Sequence, residues 1–98
     1  MARPERMTME VPAAGATGAS VNVFRLRDKT VQVSGPFTGS LQLEGSVDGD
    51  AFEPLGAPVA APGFFLVPVT VAFIRVRTNQ LTSGAPRAVV AGFDFRSF

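Results

Sequence analysis

Residues 44–56, EGSVDGDAFEPLG, carry the densest group of carboxylates in the chain. Carboxylates at such spacings can ligate calcium or act together as a general acid and base. A calcium loop of the EF-hand kind needs an acidic or amide side chain at its fifth position and glycine at its sixth. Counted from Asp48, these positions hold Phe52 and Glu53, so the EF-hand pattern fails. Asp-Gly between two strand-like runs instead predicts a hairpin turn, because glycine adopts the positive φ of a tight turn. A weak, incidental cation site is the remaining alternative.

The rest of the chain lacks the residues of the common catalytic sites. It has no histidine and no cysteine, which excludes a Ser-His-Asp triad, a Cys-His pair and a His-ligated zinc. Neither glycine-rich phosphate-binding pattern occurs, and no Trp or Tyr is present to stack against a sugar. Asp48 and Asp50 would be solvated at a hairpin tip, without the burial that tunes a catalytic carboxylate. We therefore predict no catalytic residue, no cofactor, no metal site and no enzyme activity.

Composition narrows the class of protein and its partners. A length of 98 residues indicates one domain, and 46% hydrophobic against 17% charged residues argues against disorder of the whole chain. The net charge of +1 predicts neither nucleic acid nor an anionic membrane as a partner. No apolar run approaches the ~20 residues that span a bilayer. The N-terminus also lacks the apolar stretch of a signal peptide, so we expect a protein made in the cytoplasm and left unprocessed.

From residue 21 onward, short apolar runs alternate with turn residues, a pattern typical of all-β domains. No convincing helical period of ten residues free of glycine and proline occurs. The predicted strands cover residues 21–27, 30–34, 40–47, 51–55, 64–69, 71–77 and 87–95. We predict an all-β chain whose residues 21–98 form a single antiparallel β-sandwich, jelly-roll or Ig-like, of seven or eight short strands.

The first 20 residues differ from this pattern and are predicted to form an extended or flexible N-terminal arm (residues 1–20). Their Ala/Gly/Ser/Thr run has no strand or helix period, so deletion of residues 1–18 is expected to leave the sandwich folded. In the sandwich, alternation assigns much of the core to a few apolar positions. The predicted core residues are Leu41, Leu43, Ile74, Val89 and Phe93, together with the strand phenylalanines Phe24, Phe52, Phe64, Phe65 and, less clearly, Phe73.

The central segment also carries a longer pattern of motifs. A strand with G-x-L leads into (E/Q)-G-S-x-D-G, then an aromatic residue and Pro-Leu, and later a strand with I-R-V. The matching residues are Gly39-Ser40-Leu41, residues 44–49, Phe52, Pro54-Leu55, Ile74-Arg75-Val76 and residues 89–93. This arrangement resembles small β-sandwich proteins of tailed-bacteriophage particles, including head decoration (cement) proteins and fibre-associated domains. The match covers about residues 30–95 and departs at Phe52, where the pattern more often has tryptophan.

The resemblance implies a non-enzymatic virion structural protein, a decoration protein that binds the major capsid protein on the outside of the assembled head. In this reading the N-terminal arm lies along a neighbouring capsid subunit as a clamp, and homo-oligomerisation stays open. The residues assigned to partner binding are Arg3, Arg6, Met7, Met9, Val11, Arg75 and Arg77. For Arg75 and Arg77, a polar outer strand face or a bond to the acidic turn is the alternative. A receptor-binding or fibre-associated domain, or a cellular carbohydrate- or lipid-binding sandwich, is the alternative function.

Overall fold

The computed structural model describes residues 3–94, and the regular structure in this range is β-strand. The strands are β1 Arg3–Met9, β2 Val21–Asn22, β3 Leu26–Ser34, β4 Phe37–Ser46, β5 Glu53–Pro54, β6 Gly63–Leu66, β7 Phe73–Gly84 and β8 Arg87–Asp94. Within the described range there is no helix that is long and apolar enough to cross a membrane. The all-β prediction is confirmed.

The strands form two sheets of four, and every strand pairing is antiparallel. Sheet A has the order β1-β8-β3-β6, and sheet B has the order β2-β7-β4-β5. Successive strands from β3 to β4 and from β6 to β7 to β8 switch between the sheets. The two sheets enclose one hydrophobic core, so the predicted antiparallel β-sandwich is confirmed.

Strand β7 is longer than predicted, because it continues through residues 78–84, which were expected to be a loop. These residues pair with the first half of β4. The register of this pairing shifts once just before Gly39 and once just after Ser40. Such bulges bend and twist a strand without ending its pairing. The polar sequence of residues 78–84 resembles a loop, yet backbone pairing with β4 keeps it in the sheet.

The core consists of aliphatic side chains that alternate inward along the long strands. Leu41, Leu43 and Ile74 were correctly predicted to be buried. The largest fully buried apolar side chains are Leu41, Ile74, Val23, Val31, Val33, Val76 and Val90. None of the described phenylalanines belongs to this buried set. Phe37 and Phe65 pack against it while only partly buried.

The predicted inward face of β8 is wrong. Val90 and Ala88 are fully buried opposite Val31 and Val33 of β3, whereas Phe93 is 43% exposed and Val89 lies on the outer face with it. The inner position next to Phe93 is Gly92, where an added Cβ would lie 2.8 Å from a backbone oxygen of β3. The interior is therefore tight at this point, so β8 turns its small residues inward and its large Phe outward.

The N-terminal arm, predicted to be extended or flexible, is packed onto the sandwich in the structure, and its first part is extended. Residues 3–9 form β1, which pairs along β8 at the edge of sheet A. Met9 is 3% exposed within the core, and Met7 packs against the core from the same face of β1. The prediction weighed the composition of the whole arm and overlooked the inward alternation of the two methionines in this short strand.

The second half of the N-terminal arm crosses to the other sheet. The amides of Gly15 and Gly18 donate to carbonyls of Thr78 and Val76 on β7, at 2.8 Å in each case. An added Cβ at Gly18 would lie 2.6 Å from a backbone oxygen, so only glycine fits there. Thr78 also donates its hydroxyl to the Pro12 carbonyl at 2.8 Å. The arm thus joins one edge of sheet A to one edge of sheet B.

Candidate functional site

The carboxylate-rich segment forms a hairpin, as predicted. Strand β4 ends at Ser46, and β5 returns beside it with Glu53 opposite Gly45. The intervening acidic turn (residues 47–53) is organised by Ser46, whose hydroxyl oxygen accepts the amide of Gly49 at 2.9 Å. The same hydroxyl donates to the Asp48 carboxylate at 2.9 Å. Gly49 has a φ of +83°, as the turn prediction requires.

The Asp48 carboxylate holds the acidic turn together. Its Oδ1 accepts the backbone amides of Asp50 at 2.8 Å and Ala51 at 3.1 Å. The Asp50 amide, the Ser46 hydroxyl and the Ala51 amide stabilise the charged form and lower the pKa of Asp48 below its ordinary value. Among residues 3–94 no group of three or more acidic side chains is arranged to hold a metal ion. The geometry therefore gives Asp48 a role within the turn itself.

The part of the outer face of sheet B around Glu44 is covered by its own chain. Gln42, Glu44 and Ser46 point outward on β4, yet all three are buried. Glu44 accepts a hydrogen bond from Arg75 on β7 at 2.8 Å, and the Arg75 guanidinium lies 3.8 Å from the centre of the Phe52 ring. The acidic turn and the residues after it fold over the sheet at this point. Arg75 is thus held by Glu44 and Phe52, close to the predicted alternative in which it bonds to the acidic turn.

The outer face of sheet A, in contrast, is open and carries exposed apolar side chains among polar ones. Phe64 and Leu66 project from the edge strand β6 and are 72% and 76% exposed. Phe93 of β8 lies on the same face, 43% exposed. Val89 and Ala91 lie beside Phe93 on the outer face of β8, since outward positions alternate with the buried ones along this strand. The polar residues Thr30 and Gln32 of β3 separate them from Leu66 and Phe64.

The charges on the open face of sheet A all have one sign. Arg6 on β1, Arg27 on β3 and Arg87 on β8 are exposed, and strand pairing places each on this face beside its apolar residues. None of the outward-facing strand residues of sheet A within the described range is acidic. Asp28 lies at the end of the sheet, in the irregular stretch of β3 between Arg27 and Thr30. This arrangement suits a partner surface that carries carboxylates around an apolar contact.

An open groove of about 1220 Å³ lies at one end of the sandwich, between residues 22–30 and residues 66–70. Phe24, 73% exposed, and Val69, 48% exposed, supply its apolar walls. Arg25 in the groove is fixed by Glu5 at 2.9 Å and by the buried Asp94 at 3.2 Å. Burial lowers the pKa of Lys29 in this groove, against the opposing effect of Asp28.

The structure separates the residues predicted to bind a partner. Met9 is buried in the core, and Met7 and Val11 are partly buried against it, so the fold uses these side chains internally. Arg75 is occupied within sheet B, as described above. Arg3, Arg6 and Arg77 are exposed. Of these, only Arg6 belongs to the open face of sheet A.

Phe64 and Phe93 were predicted to lie in the core, but both are exposed on this surface. A signal for them exists at β6, because Pro62 and Pro68 flank a run of only four strand residues. Proline is confined to the edges and ends of sheets, so this spacing indicates a short edge strand. A short edge strand on a two-layer sandwich has one face that no other layer covers. Phe64 could therefore have been predicted on the surface.

Fold and surface together define a small antiparallel β-sandwich with one self-covered and one open sheet face. No protein-family model matches the chain, and neither does any curated protein sequence. A solved structure with a similar fold is that of the SPBc2 prophage-derived protein YomS. The two chains superpose with a TM-score of 0.77 over 96% of each, at 11% sequence identity. At that identity the similarity establishes a shared fold.

Proposed function

We propose that this chain is a structural protein of a bacteriophage particle, a decoration protein that binds the outside of the assembled head and stabilises it. The observation that carries the proposal is the fold shared with a prophage-derived protein over nearly the whole length of both chains. The exposed apolar surfaces support it, because patches of this kind mark sites of protein–protein interaction. The proposed role is non-enzymatic, in keeping with a chain that has no histidine or cysteine.

The groove at the end of the sandwich is the proposed contact with the major capsid protein. Phe24 and Val69 offer apolar side chains to an extended capsid segment, and the adjacent polar backbone can pair with it. This replaces the clamp by the N-terminal arm, since residues 3–18 are used within the sandwich itself. If the groove binds a segment that only the assembled lattice presents, binding favours the assembled form by linkage.

The experiment uses particles made by a host that carries the gene, with heads and tails separated before mass spectrometry. The chain is expected in the head fraction, in many copies. Heads stripped of it should lose resistance to heat, and the purified protein should restore that resistance when added back. Recovery only with tails would favour the receptor-binding or fibre-associated function, and absence from both fractions would refute a virion role.

The groove contact has its own test on the same stripped heads. Phe24→Ser is expected to weaken binding to the heads without changing the melting temperature, because Phe24 is largely exposed. Arg77→Ser is the control, because it also truncates an exposed side chain to serine but lies on sheet B, outside the groove. Equal binding by both variants would exclude the groove as the contact and leave the head location intact.

A further inference from the structure

The charges of this molecule are divided between two distant surfaces. The open face of sheet A carries Arg6, Arg27 and Arg87 among apolar side chains. The acidic turn, at the edge of sheet B, carries three exposed carboxylates and no basic residue. Val47, at the start of that turn, is 73% exposed. Each surface thus combines exposed apolar side chains with charge, and the two charges are opposite.

We propose that the open face of sheet A binds the acidic turn of a second copy of this chain. In this contact Val47 packs against Phe64 on the edge strand β6, while Asp50 and Glu53 approach Arg6 and Arg87. Charge complementarity selects this occupant, because two open faces packed against each other would bring arginine against arginine. The choice does not depend on whether the protein belongs to a head or a tail.

The contact is heterologous, since it joins two different surfaces of identical chains. A heterologous contact repeats from copy to copy, closing into a ring or extending as a row. Many weak contacts of this kind would connect neighbouring copies on a particle and raise their joint attachment through effective concentration. The groove between residues 22–30 and 66–70 would remain accessible for a different partner.

Sedimentation velocity of the full chain, from micromolar to near-millimolar concentration, tests the proposal. We expect association that rises with concentration and weakens between about 0.05 M and about 0.5 M salt, because exposed charge pairs are screened. Arg87→Glu and Asp50→Lys should each weaken association at least about tenfold. Arg77→Glu, on the other sheet, is the matched control and should associate like the parent chain. Unchanged melting temperatures would confirm that all three variants remain folded.

Mixing the two variants gives the sharpest result. The intact acidic turn of Arg87→Glu can bind the intact open face of Asp50→Lys, so the mixture should associate where neither variant does alone. Phe64→Ser should weaken association as well, with no loss of stability.

Three outcomes would overturn the proposal: a chain that stays monomeric throughout, association that Arg87→Glu leaves unchanged, or no recovery on mixing. Binding of the open face to anionic phosphatidylserine vesicles or to a carboxylate-bearing capsid surface, with no self-association, would assign the face to that other partner and also overturn it.

Discussion

The outer faces of the two sheets differ in the polarity and in the burial of their side chains. On sheet B, the outward residues of β4 are polar and buried, with Gln42 donating to a backbone carbonyl at 2.9 Å and Glu44 paired to Arg75. On sheet A, the outward residues Phe64 and Leu66 are apolar and exposed. A solvated sheet face usually carries polar residues, and a covered face apolar ones. This molecule reverses both tendencies around Glu44 on sheet B and around Phe64 on sheet A.

This difference separates a face that the chain uses for its own folding from a face that it leaves uncovered. Residues after β4 cover the polar face permanently, so its hydrogen bonds and ion pair are part of the folded chain. No segment of the described chain covers the apolar face of sheet A. Among residues 3–94 no buried side-chain nitrogen or oxygen lacks a hydrogen-bond partner. The open face is therefore one of the surfaces that we propose for contact with other chains.

The largest test of this comparison removes the element that both sheets share. A chain without residues 1–18 should show no cooperative thermal transition by circular dichroism. It loses the β1 pairing with β8, the backbone bonds to β7 and the buried Met9. Deletion of a buried methionine side chain alone costs about 2–5 kcal/mol, and small domains have only about 5–15 kcal/mol in total.

Two single substitutions on β1 test whether burial of Met9 accounts for part of this loss of stability. Met9→Ala should lower the free energy of unfolding by about 2–5 kcal/mol, whereas Thr8→Ala, exposed on the same strand, should change it by less than about 0.5 kcal/mol. A truncated chain that melts like the parent would mean that the N-terminal arm is a dispensable extension, as its composition first suggested.

The second test compares a buried with an open position. Ile74→Ala should cost about 2–5 kcal/mol in urea denaturation, because the Ile74 side chain is 1% exposed between the sheets. Phe64→Ala should cost less than about 0.5 kcal/mol, although it removes a larger side chain. Similar losses at both positions would show that Phe64 is covered in solution and that the open face is not open.

Much of the sandwich can be predicted from local alternation. Leu41 and Leu43 alternate with Gln42 and Glu44, and the structure places the leucines inside as predicted. The turn after Glu44 follows from Asp-Gly chemistry, which depends only on neighbouring residues. These features lie within one strand or one hairpin, so the sequence alone carries enough information for them.

The functional surface depends on information that alternation does not contain. Alternation divides β8 into two sets but does not say which set faces the core, and Val89 and Phe93 were assigned inward on hydrophobicity alone. The close approach of β3 at Gly92 decides the question, and that approach is a tertiary feature. Likewise, the burial of Glu44 depends on a later segment that folds over it. The candidate site was therefore harder to predict than the fold.

The third test concerns the covered face. Glu44→Ala should lower the free energy of unfolding by about 1–2 kcal/mol, because it removes a hydrogen-bonded charge and leaves Arg75 over Phe52 without its carboxylate. The loss stays below that of a fully buried pair because the Arg75 side chain is 29% exposed. Arg87→Ala on the open face is the control and should leave the unfolding midpoint in urea unchanged. Equal effects of the two substitutions would contradict the difference between the faces.

The smallest expected effect concerns the acidic turn that ends the covered face. The pKa of Asp48 is lowered in the folded chain from its ordinary value of 3.8, because the amides of Asp50 and Ala51 and the Ser46 hydroxyl bond its charged form. Stability from a depressed carboxyl pKa is complete above the unfolded value and is lost as the pH falls through the folded value. The melting temperature of the parent chain should therefore decline as the pH is lowered below 3.8.

Asp48→Asn cannot ionise, so it should melt slightly lower than the parent at neutral pH and approach it in acid. Asp50→Asn, whose side chain has no such role in the turn, is the matched control and should follow the parent. If Asp48→Asn and the parent keep a constant difference in melting temperature at every pH, the carboxylate charge does not hold the turn.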